Sequence, residues 1–470
     1  MAVDDDDDNE WEDEWEDEWE NEWEDEWEDE LRNDSLHHVE PDSSALQCFN
    51  LARHWLHDCL ANHESCRLEP TPHLPKTFLQ ISSGRRHPEA RLMTDTGLKE
   101  TYAALSHCWG TAEFLTLTRA NFGSLEQNVP WENLPKAFQD AIKVCLELGL
   151  SNLWIDSLCI LQDSREDWEE QSACMGDIYR NATVVIAANS GSGAHEGFLG
   201  PRKEQFVECI VPPSSASPGV YARPHILHYC ELSTDETLSK RAWTYQERLL
   251  ARRYLSFNKK ELHWECESAW QCECGVGEWT KGSPHEFSLQ QLCNVTMNKE
   301  ELYKVWRQVI VQNYAGRELS KESDELPALS AVAQVFQTKL QDTYLAGLWN
   351  GDIIRGLCWV RASWFEQYPN GPPSYRAPSW AWSSIDAPVD DRSGQQEFVT
   401  YSQLLEAECV PFGASNLGEV KDGFITLRGP LVRAFIGLSA CGFNPGEIVQ
   451  VWTFNVRDGS STVFFEHRYK

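Results

Sequence analysis

The chain has 470 residues and a formal net charge of −34 at pH 7, long enough for more than one hydrophobic core. Twenty Asp and Glu and no Lys or Arg fall within residues 1–30, leaving −14 for the rest, and a body without clustered Lys and Arg excludes nucleic-acid binding driven by phosphate neutralisation. No apolar run approaches the ~20 residues of a membrane span, the first residues are acidic where a signal peptide is basic then apolar, and sixteen Cys spread along the chain read as reduced thiols of a cytoplasmic protein rather than a disulfide framework.

In chain order, five WEDE-type tetrads carry Trp11, Trp15, Trp19, Trp23 and Trp27. A period of four drifts about 40° per repeat on a helix, and the Glu residues repel one another, so this segment reads as a solvated tail. Between Ser44 and Cys66, Phe49, Ala52, Trp55, Leu56 and Cys59 share one helical face, the pattern of a packing helix. Pro70, Pro72, Pro75, Gly84 and Pro88 mark a loop-rich approach with one short strand at 77–81.

Then the pattern alternates. Thr101–Ser106 (TYAALS) reads as a strand ending in the turn-prone His107, Cys108, Trp109 and Gly110. Pro135 opens a helix that Gly149 stops, Leu153–Ile160 (LWIDSLCI) reads as a buried strand closed by Gln162 and Asp163, and Ser164 leads a helix with Trp168, Met175, Ile178, Tyr179 and Ala182 at core spacing. Thr183–Ala188 (TVVIAA) is a further strand ending in Asn189 and Ser190. This β-α-β-α-β order predicts an α/β fold with a doubly wound parallel sheet. Ligands of such sheets bind outside the carboxyl ends of the strands, which draws Ser106–Gly110, Asp156–Asp163 and Ser190 to one edge.

After a loop-like insertion at 191–238 comes SKRAWTYQERLLARR at 239–253, a helix with Ser239 as its expected N-cap. Trp243, Glu247 and Leu250 share a stripe on it, and a carboxylate on an apolar stripe must be paired, here with Arg241 or Arg248, or used. Residues 253–264 read as a strand or hairpin, 300–314 and 326–340 as amphipathic helices, APSWAWSS at 377–384 as a buried aromatic strand, and the stretch from Phe398 as β-structure. The divisions are an acidic tail at 1–43, an N-terminal helix and linker at 44–100, the α/β domain at 101–265, a helical Trp-rich region at 266–397 and a β-rich segment at 398–470, the last two forming an α+β region. His54, His57, Cys59, His63 and Cys66 form one group of potential metal ligands, and Cys266, Cys272 and Cys274 beside His263 a second. Neither contains a paired CxxC, so both are expected to be unligated, with no metal.

Three stretches, YAALSHCWG at 102–110, WIDSLCILQD at 154–163 and RAWTYQE at 241–247, resemble the three signature blocks of the fungal heterokaryon-incompatibility (HET) domain, in the same order. The resemblance implies action in fungal allorecognition (non-self recognition) and programmed cell death. It further implies a distant similarity to TIR domains, a flavodoxin-like fold with members that cleave NAD at the nicotinamide–ribose bond. In those enzymes a Trp on a helix precedes a catalytic Glu by four residues, the spacing of Trp243 and Glu247. On this reading Glu247 is the catalytic residue, Ser106, His107, Trp109, Gly110, Asp156, Gln162, Asp163, Ser190 and Trp243 line the site, and NAD is a substrate with no cofactor bound. Expected partners are a second copy of the chain or another death-signalling protein. Two competing readings are a non-catalytic signalling module working through protein contacts and a cysteine hydrolase using Cys108 or Cys159 with His107.

Overall fold

The computed structural model describes residues 38–67, 74–94, 97, 99–202, 236–275, 297–362, 372, 374–393, 400–413 and 415–429, and the backbone of strands at 208–211, 220–222, 279–280, 454–456 and 462–465. The acidic Trp repeat lies outside the described residues.

Helix α1 (Leu46–Asn62) buries Cys48, Ala52, Trp55, Leu56 and Cys59, the face its periodicity marked. Strand β1 (Thr77–Ser82) is joined by β2 (Glu89–Thr94), an antiparallel partner in a segment expected to be loop. Strand β3 (Ala103–Ser106) is buried at every residue. Short helix α2 (Phe122–Gln127) precedes α3 (Lys136–Glu147), which starts after Pro135 and ends before Gly149 at φ +75, a backbone angle that glycine adopts without a Cβ penalty.

Strand β4 covers only Asn152–Trp154, because the chain turns at Ile155 into a one-turn helix, α4 (Asp156–Cys159). The expected strand over 153–160 is therefore corrected to a strand and a helical turn. Asp156 accounts for the break, its Oδ1 accepting the Ser157 N–H at 2.7 Å, a local bond that competes with the ladder. Helix α5 (Arg165–Asn181) is capped by Ser164, whose side chain accepts from the Asp167 N–H. Strand β5 (Val184–Ala187) follows, then a separate ribbon of β6 (Glu208–Val211) and β7 (Val220–Ala222). Helix α6 (Ala242–Leu250) leads into β8 (Arg253–Phe257), β9 (Leu262–Cys266), β10 (Ala269–Cys272) and β11 (Trp279–Thr280).

These strands form one nine-stranded sheet in the order β11-β10-β9-β8-β5-β3-β4-β1-β2. The middle four, β4-β3-β5-β8, are parallel, as the alternating pattern predicted. Both edges are antiparallel, so the sheet is mixed and extends on either side of 101–265. Crossovers from β3 to β4 and from β4 to β5 run in opposite directions along the sheet. The register aligns Ala104 with Trp154 and Val185, Ser106 with Ala187, and Ala187 with Ser256. Side chains alternate along a strand, which gives the α5 face a row of small residues, Ala104, Ser106, Ala187 and Ser256, flanked by Trp154, whose ring meets Tyr179 edge-on at 5.5 Å.

A second core gathers Ala242, Tyr245 and Leu250 of α6 with α7 (Lys299–Val305), its π-helical continuation Trp306–Val311, α8 (Ser330–Leu340) and residues as far as Ile425. Helix α6 thus lies between two cores. Its start differs from expectation: Ser239 occupies a 3₁₀ turn and donates to the Glu236 carbonyl, while Arg241 is extended and forms a bridge with Glu318. Pairing with a distant segment overrides the local cap. APSWAWSS is likewise a turn and a 3₁₀ segment, Trp382–Ser384, rather than a strand, with the Trp382 indole donating to the Gly347 carbonyl. No helix among the described residues is long and apolar enough to cross a membrane.

Candidate functional site

Strand β3 ends at Ser106, and His107 to Gly110 leave the sheet at its carboxyl edge. Gly110 has φ +73, and a Cβ there would meet Gly193 Cα at 3.1 Å, so the turn needs glycine both for its backbone angle and for the approach of the loop after β5. Arg241 donates to the His107 carbonyl at 2.8 Å, tying the start of α6 to this turn. The His107 ring is buried edge-on against Phe138 at 5.0 Å, its Nδ1 is 3.8 Å from Asp156 Oδ1, and its Nε2 has no hydrogen-bond partner among the described residues. Burial holds its pKa down at about 4, aided by Arg241 and opposed by Asp156, so the imidazole is neutral near pH 7. Asp156 Oδ2 accepts from the Trp109 indole at 2.8 Å, which orients both side chains.

Glu247 projects from α6 toward the row of small residues on the sheet. Neither Arg expected as its partner pairs with it: Arg248 bonds Glu265 at 2.8 Å and Arg241 the His107 carbonyl. Only 5% of Glu247 is exposed, and burial pushes its carboxyl up to about 7, with Asp156 adding to the rise and Ser106, Arg241 and Tyr179 opposing it. Ser106 faces the carboxyl closely enough to act on it without completing a normal hydrogen bond, since Ser106 Oγ and Glu247 Oε2 both lack partners among the described residues. The Tyr179 hydroxyl donates to the Leu105 carbonyl at 3.3 Å. Burial also pushes the Tyr179 and Tyr254 phenols well up. Three orphaned polar atoms, Ser106 Oγ, His107 Nε2 and Glu247 Oε2, therefore lie behind one sheet edge. Buried groups without partners cost free energy and are uncommon, and a carboxyl titrating near neutrality can exchange a proton or, ionised, stabilise a cation.

Of the residues expected at the site, Ser106, His107, Trp109, Asp156 and Glu247 are brought together, with Gly110 in the adjoining turn. The others have different immediate contacts. Gln162 and Asp163 are exposed, with Gln162 Nε2 donating to the Ile160 carbonyl at 2.9 Å and Asp163 accepting from the Arg119 N–H at 3.1 Å. Ser190 bonds Phe257 and Phe198 carbonyls through its N–H and hydroxyl. The Trp243 indole donates to Asp324 at 3.1 Å and its ring meets Trp168. Tyr179 and Tyr254 were not anticipated beside Glu247; helical spacing had marked Tyr179 only as core, and the parity of β8 was the available signal for Tyr254. Cys159 is buried, with its thiol pushed up to about 12, a poor setting for a nucleophile.

The potential metal ligands regroup. The register of β9 and β10 sets Cys272 opposite His263 but leaves Cys266 beside Arg253, so Cys266 joins Cys59, His63 and Cys66 rather than Cys272 and Cys274. His54 and His57 are exposed on α1.

Residues 102–247 match the family model described as Heterokaryon incompatibility protein (HET). No curated protein and no solved structure matches the chain. The matched stretch runs from the residue before β3 to Glu247, enclosing the parallel strands β3, β4 and β5, the His107–Gly110 turn and the carboxyl that faces it. Residues 102–247, about a third of the chain, are thus similar to a heterokaryon-incompatibility domain.

Proposed function

We propose that the HET domain, whose family implies a role in heterokaryon incompatibility, acts by cleaving NAD at the nicotinamide–ribose bond, with Glu247 as the catalytic carboxylate. The observation that supports this reading is the buried Glu247, whose Oε2 lacks a hydrogen-bond partner among the described residues, facing the Ser106 hydroxyl where parallel strands end. In the reaction the ribose C1′–nitrogen bond breaks, its electron pair stays on nicotinamide, which leaves neutral, and water adds to the ribose cation with release of one proton. Ionised Glu247 stabilises that cation. Trp109, Asp156 and neutral His107 shape the edge, and a second copy of the chain is the expected partner in assembly. A non-catalytic signalling role is the second reading, favoured by the closure of the site, since Ser106 is 0% exposed.

The test is nicotinamide release from NAD by the purified full chain, alongside Glu247→Gln and Cys108→Ser. The hydrolase reading expects a loss of roughly 10²–10³-fold in Glu247→Gln, little change in Cys108→Ser, and a wild-type rate rising through about pH 7 as Glu247 ionises. Cell death that persists undiminished in Glu247→Gln overturns it and supports signalling by contact.

A further inference from the structure

Remote from the carboxyl edge, the last turn of α1 and the 3₁₀ turn Glu64–Cys66 meet the end of β9. Cys59 Sγ, Cys66 Sγ, Cys266 Sγ and a His63 ring nitrogen all lie within 4.8 Å of one another, and Cys266 Sγ is 3.3 Å from His63 Nδ1. Ligand atoms on a tetrahedral zinc are about 3.4–3.8 Å apart, given Zn–S of about 2.3 Å and Zn–N of about 2.0 Å. Four donors thus converge with the number, type and spacing of a closed Cys₃His site, although only Cys59, His63 and Cys66 are near in sequence.

Two further features point to a metal. His63 turns Nδ1 toward the cysteines and Nε2 toward Asp58, whose Oδ2 is 3.6 Å away, the outer carboxylate that orients a ligating imidazole. Arg253 is fully buried and donates to Cys59 Sγ at 3.1 Å, to the Thr183 carbonyl at 3.2 Å and to the Cys66 carbonyl. Among the described residues it makes no ion pair with a carboxylate. A buried guanidinium needs a counter-charge, and three thiolates with neutral His on Zn²⁺ carry a net charge of −1, which balances it.

We propose that Cys59, His63, Cys66 and Cys266 bind one zinc ion that clamps the end of α1 to β9. Binding releases the three thiol protons to solvent and leaves no open coordination position, so the ion is structural. The second group, Glu261, Cys272 and Cys274, offers three donors, and Glu261 already accepts from the Cys274 N–H at 3.2 Å.

The test is zinc content per chain of the zinc-loaded, desalted full-length protein by elemental mass spectrometry. Wild type is expected to hold one zinc more than Cys266→Ser, and His63→Cys, which preserves four ligands, to retain it. Should Cys266→Ser fail to fold, cobalt replaces zinc in wild type and His63→Cys: an intense tetrahedral ligand-field spectrum that changes between the two places the ion here. Equal zinc in wild type and Cys266→Ser, identical cobalt spectra in wild type and His63→Cys, or wild type that binds neither metal after reduction overturns the proposal.

Discussion

Glu247 and His107 are buried ionisable groups whose titrations move folding stability in opposite directions. A carboxyl raised from 4.5 to about 7 leaves the folded chain holding more protons than the unfolded chain between those values. Stability therefore falls as pH rises across that window, by of the order of 3 kcal/mol in all. An imidazole lowered from 6.5 to about 4 does the reverse: the unfolded chain holds the extra proton, so stability rises with pH from about 4 to 6.5. The two slopes oppose each other through the overlap, and removing either group exposes the other. Glu247→Gln should gain stability relative to wild type progressively from about pH 4.5 to 7, by of the order of 3 kcal/mol at the upper end. His107→Gln should gain relative to wild type only as pH falls below about 6.5. Urea unfolding midpoints across this range check both, and a Glu247→Gln difference independent of pH would show that the carboxyl titrates normally. The motif spacing singled out both residues, but the burial of both side chains arises from how α6 and β3 meet.

At the scale of elements, α6 is held where close packing allows it. Gly176 of α5 sits so near α8 that an added Cβ would meet Ala331 Cβ at 2.4 Å and Leu250 Cδ1 at 3.2 Å. Glycine in a helix interior costs about 1 kcal/mol against alanine, yet here the gain from alanine is outweighed by overpacking of about 1–3 kcal/mol. Gly176→Ala should therefore destabilise the chain, and Ala331→Gly should restore most of the loss in the double variant, a coupling that chemical denaturation of the four proteins measures. Core periodicity located α1, α3 and α5, and continuous apolar runs located β3 and β5. Errors fell where a tertiary partner or a polar side chain interrupts a run: Asp156 ends β4 early, Glu318 draws Arg241 out of the helix, and β2 pairs with β1 despite the prolines and glycine around it.

Across the whole molecule, α6 belongs to two cores. Ala242, Tyr245 and Leu250 pack with residues from 302 to 425, while Glu247 faces the sheet. The sheet also continues past residue 265 through β10 and β11. A chain ending at residue 265 should therefore expose the outer side of α6 and the open edge of β9, both of which favour association. Such a chain is expected to be recovered as aggregate on size-exclusion chromatography, with the full chain recovered as discrete species; a soluble, monodisperse truncation would show that the second core is dispensable.

By itself the sequence determined the α/β class and the parallel pairing of the central strands. These follow from local periodicity and from continuous apolar runs, both properties carried by neighbouring residues. Tertiary structure alone decided that Glu247 has no ion partner among the described residues, that Tyr179 and Tyr254 adjoin it, that α6 joins two cores and that Cys266 meets Cys59, His63 and Cys66 across some two hundred residues. Strand register and helix packing set such distances, and they depend on residues far apart in the chain, whose pairing no local pattern encodes.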